Sequence, residues 1–148
     1  MPYVTLTTPP LSLDDRQRIA HDLTEAVVRL MTPANGRGLS PDELRERCTV
    51  HFTPYEDDML AIGGKLMRDR EEKDVTMEFS DWGLNTRRQR KLARELTPLL
   101  ASFFGLGTQL DHVNIRFHPY PPSDFAVGGR LFADLIPAIG RFMKSITA

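Results

Sequence analysis

The chain opens on PYVTLT, a short β-rich run that predicts a strand over 2–8, ended by Pro9-Pro10. Ser12 reads as a helix N-cap, with Asp14 and Asp15 in the first turn where the helix dipole favours acids. Ile19, Leu23, Ala26, Val27 and Leu30 then recur at helical spacing, giving an amphipathic helix to about Met31. TPANGRGLSP is a loop by composition, DELRER adds a helical turn, and CTVHFTP at 48–54 predicts the next strand. The same pattern returns. DVTMEFSDW at 74–82 is a strand, Asn85 or Thr86 caps a helix with Leu92, Leu96, Leu99, Leu100 and Phe103 on its apolar face, and DHVNIRFHP at 111–119 is a strand. Pro98 inside that helix removes one hydrogen bond and is expected to bend or divide it.

A strand–helix–strand crossover is right-handed and pairs its strands in parallel. The chain therefore reads as one α/β (α+β) domain over 1–148 built from tandem βαβ units, about 2–54 and 74–119. They are expected to form one four-stranded mixed sheet with both helices on one face. The other face is expected to be uncovered, its apolar residues favouring an oligomer. A linker over 55–73 carries a Gly-Gly turn or hairpin and then a solvated segment. The extension over 120–148 is loop-like, with a short strand at Phe125–Val127 and a helix over 132–146.

Charge and composition narrow the function classes. The formal net charge of −1 gives no global electrostatic case for nucleic acid or acidic membrane partners. No apolar run approaches the ~20 residues of a membrane span, and the ends read as neither signal nor lipidation sites, so the expectation is a soluble, cytoplasmic protein. Cys48 is the single cysteine, which fits a reducing compartment and reads as a small buried hydrophobe. His21, His51, His112 and His118 show no metal-ligand spacing, although His51 and His118 lie on strands and could approach each other. No metal or cofactor is expected. AIGGKL and GLGTQL lack the spacing of phosphate loops.

The second residue carries the most chemistry. If Met1 is removed, Pro2 becomes a secondary amine at the chain terminus, a base that no ordinary side chain provides; a retained Met1 would convert it to an amide. A leading Met-Pro followed at once by a strand, then a duplicated βαβ unit, resembles the tautomerase superfamily. The stretches MPYVTLT, VHFTPYEDDMLAIGG and DHVNIRFHPYPPSDFAVGGRLF bring it nearest to the macrophage migration inhibitory factor branch and longer bacterial members. The resemblance covers roughly 2–132 and leaves out the 32–45 insertion and the C-terminal helix. It implies a homotrimer with each N-terminal proline in a pocket shared with a neighbour, moving a proton beside a carbonyl. An α-amino group titrates near ~7.7–8.0 in water, and burial or a nearby cation lowers that value, which suits a base for enolisation.

In HVNIRFH, strand alternation puts Asn114, Arg116 and His118 on one face. That face resembles the one that supplies pocket residues to the neighbouring subunit in the inhibitory-factor branch. The branch has Tyr and Asn at the positions of Asn114 and Arg116, and this departure argues against bulky aromatic keto acids. Arg116 could bind a carboxylate bidentately or make an interface salt bridge. Lys65, after Gly-Gly, could reach a carboxylate or be solvated. The cluster Arg87, Arg88, Arg90, Lys91 and Arg94 reads as a solvated helix face. Tyr55, Glu56, Asp57 and Asp58 could supply an acid, and nothing in the sequence selects one. The leading expectation is a tautomerase or isomerase acting on a small enolisable 2-oxo or enol acid. The alternatives are a decarboxylase, dehalogenase or hydratase with Pro2 as acid, and a non-catalytic trimeric interaction protein.

Overall fold

The computed structural model describes residues 1–135 and contains both expected units. The first comprises β1 (Tyr3–Thr8), α1 (Leu13–Met31), a short α2 (Pro41–Arg47) and β2 (Thr49–Pro54). A hairpin of β3 (Ala61–Ile62) and β4 (Lys65–Leu66) follows. The second unit comprises β5 (Val75–Trp82), α3 (Thr86–Phe103) and β6 (Val113–Tyr120), then a hairpin of β7 (Ala126–Val127) and β8 (Arg130–Leu131). Of the helix expected over 132–146, only α4 (Phe132–Leu135) falls within the described residues.

Local chemistry sets the helix starts. Ser12 Oγ accepts the Asp15 N–H at 3.1 Å, and Asn85 Oδ1 accepts the Arg88 N–H at 2.9 Å. Ser40 and Glu43 form a reciprocal capping box at the head of α2, which lets a seven-residue helix hold its shape. Of the two effects expected of Pro98, division does not occur, and α3 runs through it without a break. The proline lies on the exposed side of the helix, so the carbonyl it leaves without a partner faces water.

The sheet order is β2-β1-β5-β6, with β1 parallel to β2, β5 parallel to β6, and β1 antiparallel to β5. Val4, Leu6, Val75, Met77 and Phe79 point to the helix side and pack with Ile19, Leu23 and Val27 of α1 and Leu92, Leu96 and Leu100 of α3. Full burial of each such side chain contributes about 1.5–3 kcal/mol. The other face carries neither α1 nor α3 and is covered among the described residues only at its end, where Phe132 packs on Trp82. Contrary to expectation, it is not apolar. Thr5, Thr7, His51, Glu78, Ser80, Asn114 and Arg116 occupy it, with Tyr3 and Trp82 as its large rings. A partner meeting this face would meet hydrogen-bonding groups.

The duplication extends past the strands. HFTPYEDDMLAIGGKLM at 51–67 matches RFHPYPPSDFAVGGRLF at 116–132 without a gap, sharing Phe, Pro-Tyr, Ala, Gly-Gly and Leu. Both Gly-Gly pairs turn their hairpins through left-handed backbone, at φ 62° and 78° for Gly63-Gly64 and 57° and 79° for Gly128-Gly129. Both Pro-Tyr pairs make the same bond. The Tyr55 hydroxyl donates to the Asp74 carbonyl at 2.8 Å, and the Tyr120 hydroxyl donates to the Met1 carbonyl at 3.2 Å. An internal two-fold therefore relates the start of β1 to the start of β5, and Pro2 corresponds to Val75. The two related ends of the sheet thus differ, with Pro2 at one and Val75 at the other.

Candidate active site around Pro2

Pro2 is buried at the head of β1, and its carbonyl accepts the Thr49 N–H at 3.0 Å, which ties it to β2. The antiparallel register sets Tyr3 opposite Ser80, which places Asp81 opposite Pro2. Asp81 shares the phase of Val75, Met77 and Phe79, so the strand turns its carboxylate inward, where it is 4% exposed. That carboxylate accepts the Trp82 N–H at 2.8 Å and pairs with the Met1 ammonium. The ammonium also lies 3.2 Å from the Tyr120 hydroxyl. The chain terminus is thus held between an acid and a phenol supplied by β5 and β6.

Burial pushes the Asp81 carboxyl above the ordinary carboxylate range, opposed by the amino terminus, the Trp82 N–H and Arg88. Burial also pushes the Tyr120 hydroxyl up to about 12, with the Asp81 charge adding to it, so Tyr120 is a neutral donor near pH 7. Cys48 lies close enough to feel both charges, but burial raises its thiol to about 11 despite a hydrogen bond with Thr24. Its thiol is therefore neutral near pH 7, and Cys48 is half-buried at the end of α2 rather than fully buried as expected.

A cavity of about 290 Å³ opens over this terminus, lined by Met1, Pro2, Tyr3, Arg47, Thr49, Tyr120 and Phe125. It lies at the low end of the ~300–1,000 Å³ range of ligand sites and suits a molecule of few heavy atoms. Its aromatic wall is braced from behind. Tyr120 packs on Phe125 at 5.9 Å between ring centroids, Phe125 on Phe132 at 5.8 Å, and Phe132 on Trp82 at 5.7 Å. The β7–β8 hairpin is fixed against the site by this run of rings.

No family model matches the sequence, and no curated protein does. Solved structures match along most of the chain. An asymmetric trimer of wild-type fused 4-OT superposes with a TM-score of 0.71 at 15% identity, covering 90% of this chain and 98% of its own. A macrophage migration inhibitory factor homologue from Prochlorococcus marinus gives 0.65 at 13% identity, covering 88% and 98%. The protein Pt0534, inactivated by 2-oxo-3-pentynoate, gives 0.70 at 15% identity, covering 90% and 98%. This chain has the tautomerase-superfamily fold.

Within one tautomerase-fold chain, the other expected site residues do not gather at Pro2. Arg116 pairs in register with Glu78, two strands over and three residues along, about 14 Å away by sheet spacings. Arg116 and Asn114 are exposed on the open sheet face. Lys65 is exposed on the β3–β4 hairpin, at the opposite end of the sheet, where the Tyr55 N–H meets the Thr8 carbonyl. His51 and His118 occupy the two edge strands and do not meet; they contact Tyr3 at 3.4 Å and Glu78 at 3.3 Å instead. Among the described residues no group of His, Cys, Asp and Glu is arranged to hold a metal ion. The acids considered in 55–58 lie at the far end, where Tyr55 is bound to Asp74 and Asp57 pairs with Lys73 at 3.1 Å. Arg87, Arg90, Lys91 and Arg94 are exposed as a solvated face, and Arg88 donates to the Gly83 carbonyl at 3.3 Å.

The sequence reading missed Asp81, Tyr120, Arg47 and Phe125. For Tyr120 and Phe125 the signal was the repeated Pro-Tyr…Gly-Gly segment. For Asp81 it was an acid in phase with three buried apolar residues of its strand.

Proposed function

We propose that the chain is an N-terminal-proline enzyme that moves a proton on a small enolisable 2-oxo or enol acid. The observation carrying this is the burial of the β1 terminus in a small cavity against Asp81 and Tyr120. With Met1 removed, the Pro2 secondary amine takes over the polar surroundings that the Met1 ammonium has here. The amine removes a proton from carbon beside the carbonyl and returns it elsewhere. The Tyr120 hydroxyl donates to the oxygen on which enolate charge develops. Met1-free protein, verified by intact mass, is expected to accelerate ketonisation of a 2-oxo acid's enol and to take up one equivalent of 2-oxo-3-pentynoate on its N-terminal peptide. Failure of both would favour a non-catalytic interaction protein, and a chain that keeps Met1 would have no free prolyl amine at all.

Asp81 favours a second reading in the same site. A carboxylate beside an amine stabilises the protonated form, so Pro2 would serve as the acid while Asp81 activates water, as a hydratase, decarboxylase or dehalogenase requires. Solvent oxygen in the product separates this from tautomerisation.

The assembly belongs to the same proposal. A homotrimer would bring the open-face residues Asn114 and Arg116, and the hairpin Lys65, to a neighbour's Pro2 pocket. Light scattering at micromolar concentration is expected to give three times the chain mass, and a monomer would remove these residues from the site. Among the described residues no helix is long and apolar enough to cross a membrane. A cytoplasmic setting is the reading that suits the unpaired Cys48.

A further inference from the structure

We propose that folding itself closes the Met1–Pro2 bond to an aminopeptidase, so that a chain which folds with Met1 in place keeps it. Three groups of Met1 are engaged. Its ammonium pairs with Asp81, whose side chain is 5% exposed, and lies 3.2 Å from the Tyr120 hydroxyl. That hydroxyl accepts from the ammonium and donates to the Met1 carbonyl at 3.2 Å, using both capacities of a phenol. The Met1 sulfur lies 3.7 Å from Arg47 Nη1. Beyond the scissile bond, Pro2 is buried, and its carbonyl accepts the Thr49 N–H at 3.0 Å. A methionyl aminopeptidase has to take hold of a free ammonium, a thioether side chain and an exposed carbonyl. Here the fold already holds all three.

The timing follows from where the partners lie. Asp81 and Tyr120 stand 80 and 119 residues beyond Met1, so neither is present while the first unit is being made. At ~5–20 residues per second of synthesis, the terminus stays open for roughly 6–24 s before Tyr120 is added. Hydrolysis belongs to that window. Water adds at the Met1 carbonyl carbon, and the bond to the Pro2 nitrogen breaks. Methionine leaves with the new carboxylate, and a proton passes to the Pro2 nitrogen, which becomes the terminal amine. Once β5 and β6 are in place, drawing Met1 out would leave the Asp81 carboxylate buried without its partner, which is costly. Trimmed and untrimmed chains are then two populations that do not interconvert. This claim stands whatever Pro2 does; that the untrimmed chain is inactive rests on the reading of Pro2 as the reacting group.

Trimming can be read without turnover. Chains that retain Met1 are made by cell-free synthesis with the aminopeptidase inhibited, then purified and treated with methionyl aminopeptidase under native conditions. Loss of one methionine is followed by intact mass, with the free peptide MPYVTLT, residues 1–7, as the unfolded reference. Folded wild type is expected to be trimmed at least about 100-fold more slowly than the peptide, because cleavage follows the open population. Asp81→Asn should be trimmed about 10- to 100-fold faster than wild type, the range of a charge-assisted hydrogen bond. Tyr120→Phe, which keeps the ring and removes the hydroxyl, should be trimmed about 3- to 10-fold faster. Leu100→Ala truncates a fully buried side chain under α3 and should be trimmed at the wild-type rate, since releasing Met1 needs only local opening. Wild type trimmed at the peptide's rate would overturn the proposal. So would Asp81→Asn and Tyr120→Phe no faster than wild type, or Leu100→Ala as fast as Asp81→Asn. Equal turnover of an enol acid by trimmed and untrimmed chains would instead remove Pro2 from the mechanism, which keeps the two claims apart.

Discussion

A chain extended by one residue before Pro2 is expected to lose proton transfer by about 10²–10⁴-fold, the contribution of a positioned general acid or base. The extension turns the prolyl amine into an amide, which neither accepts nor gives a proton near neutral pH. It also sets a new ammonium where Met1 now meets Asp81 and Tyr120, so a positive charge beside Asp81 is kept while the prolyl nitrogen is blocked. Pro2→Ala is the milder companion, since it keeps a primary amine of different shape and basicity and should retain part of the rate. Both variants should keep the fold, because the Thr49 N–H to residue 2 carbonyl bond is a backbone contact that neither change removes. The measurements are kcat on an enol acid and the mass of the N-terminal peptide after 2-oxo-3-pentynoate. An extended chain that turns over at the wild-type rate, or that is labelled at residue 2, would take Pro2 out of the mechanism.

The parts of the fold that follow from local chemistry were legible in the sequence. Ser12 and Asn85 stand at helix starts because short polar side chains satisfy the first orphan amides. Gly-Gly marked the first hairpin because both turn residues need positive φ. What depended on meeting across the sheet was not legible. Asp81 reads as an ordinary acid in a strand until the antiparallel register of β1 and β5 sets it opposite Pro2. Arg116 was read, from its strand phase and the family resemblance, as a residue offered to a neighbouring subunit's pocket, and its edge strand lies away from β1 of the same chain. The open face was expected to be apolar because strands with one uncovered face so often seek a partner through hydrophobic area. Its Thr, Ser, His and Glu residues belong to the second phase of each strand, which the apolar count along the chain does not separate.

Asp81→Asn is expected to lower the pKa of the Pro2 amine in Met1-free protein and to cut turnover by about 10²-fold or more. The sign follows from charge. An anionic carboxylate beside the amine stabilises its protonated form, and neutral asparagine withdraws that support, leaving burial to disfavour the cation. Asp81 itself is shifted upward by burial, so its ionisation costs folding free energy as the pH rises from the unfolded value of 3.8 through the raised one. The asparagine variant has no such cost, and its thermal midpoint near neutral pH should match or exceed that of wild type. Lost activity then reports chemistry and not unfolding. The pH profile separates the two readings of the site. If Pro2 works as a neutral base, the rate rises with pH through its pKa, and in Asp81→Asn this rising limb moves to lower pH. If Pro2 works as an acid with Asp81 activating water, the rate falls with pH through that pKa; the variant then moves the falling limb to lower pH and loses incorporation of solvent oxygen. Titration of the Pro2 nitrogen by NMR reads the shift directly. An unchanged pKa together with an unchanged rate would show that the buried carboxylate holds the chain end in place and takes no part in moving its proton.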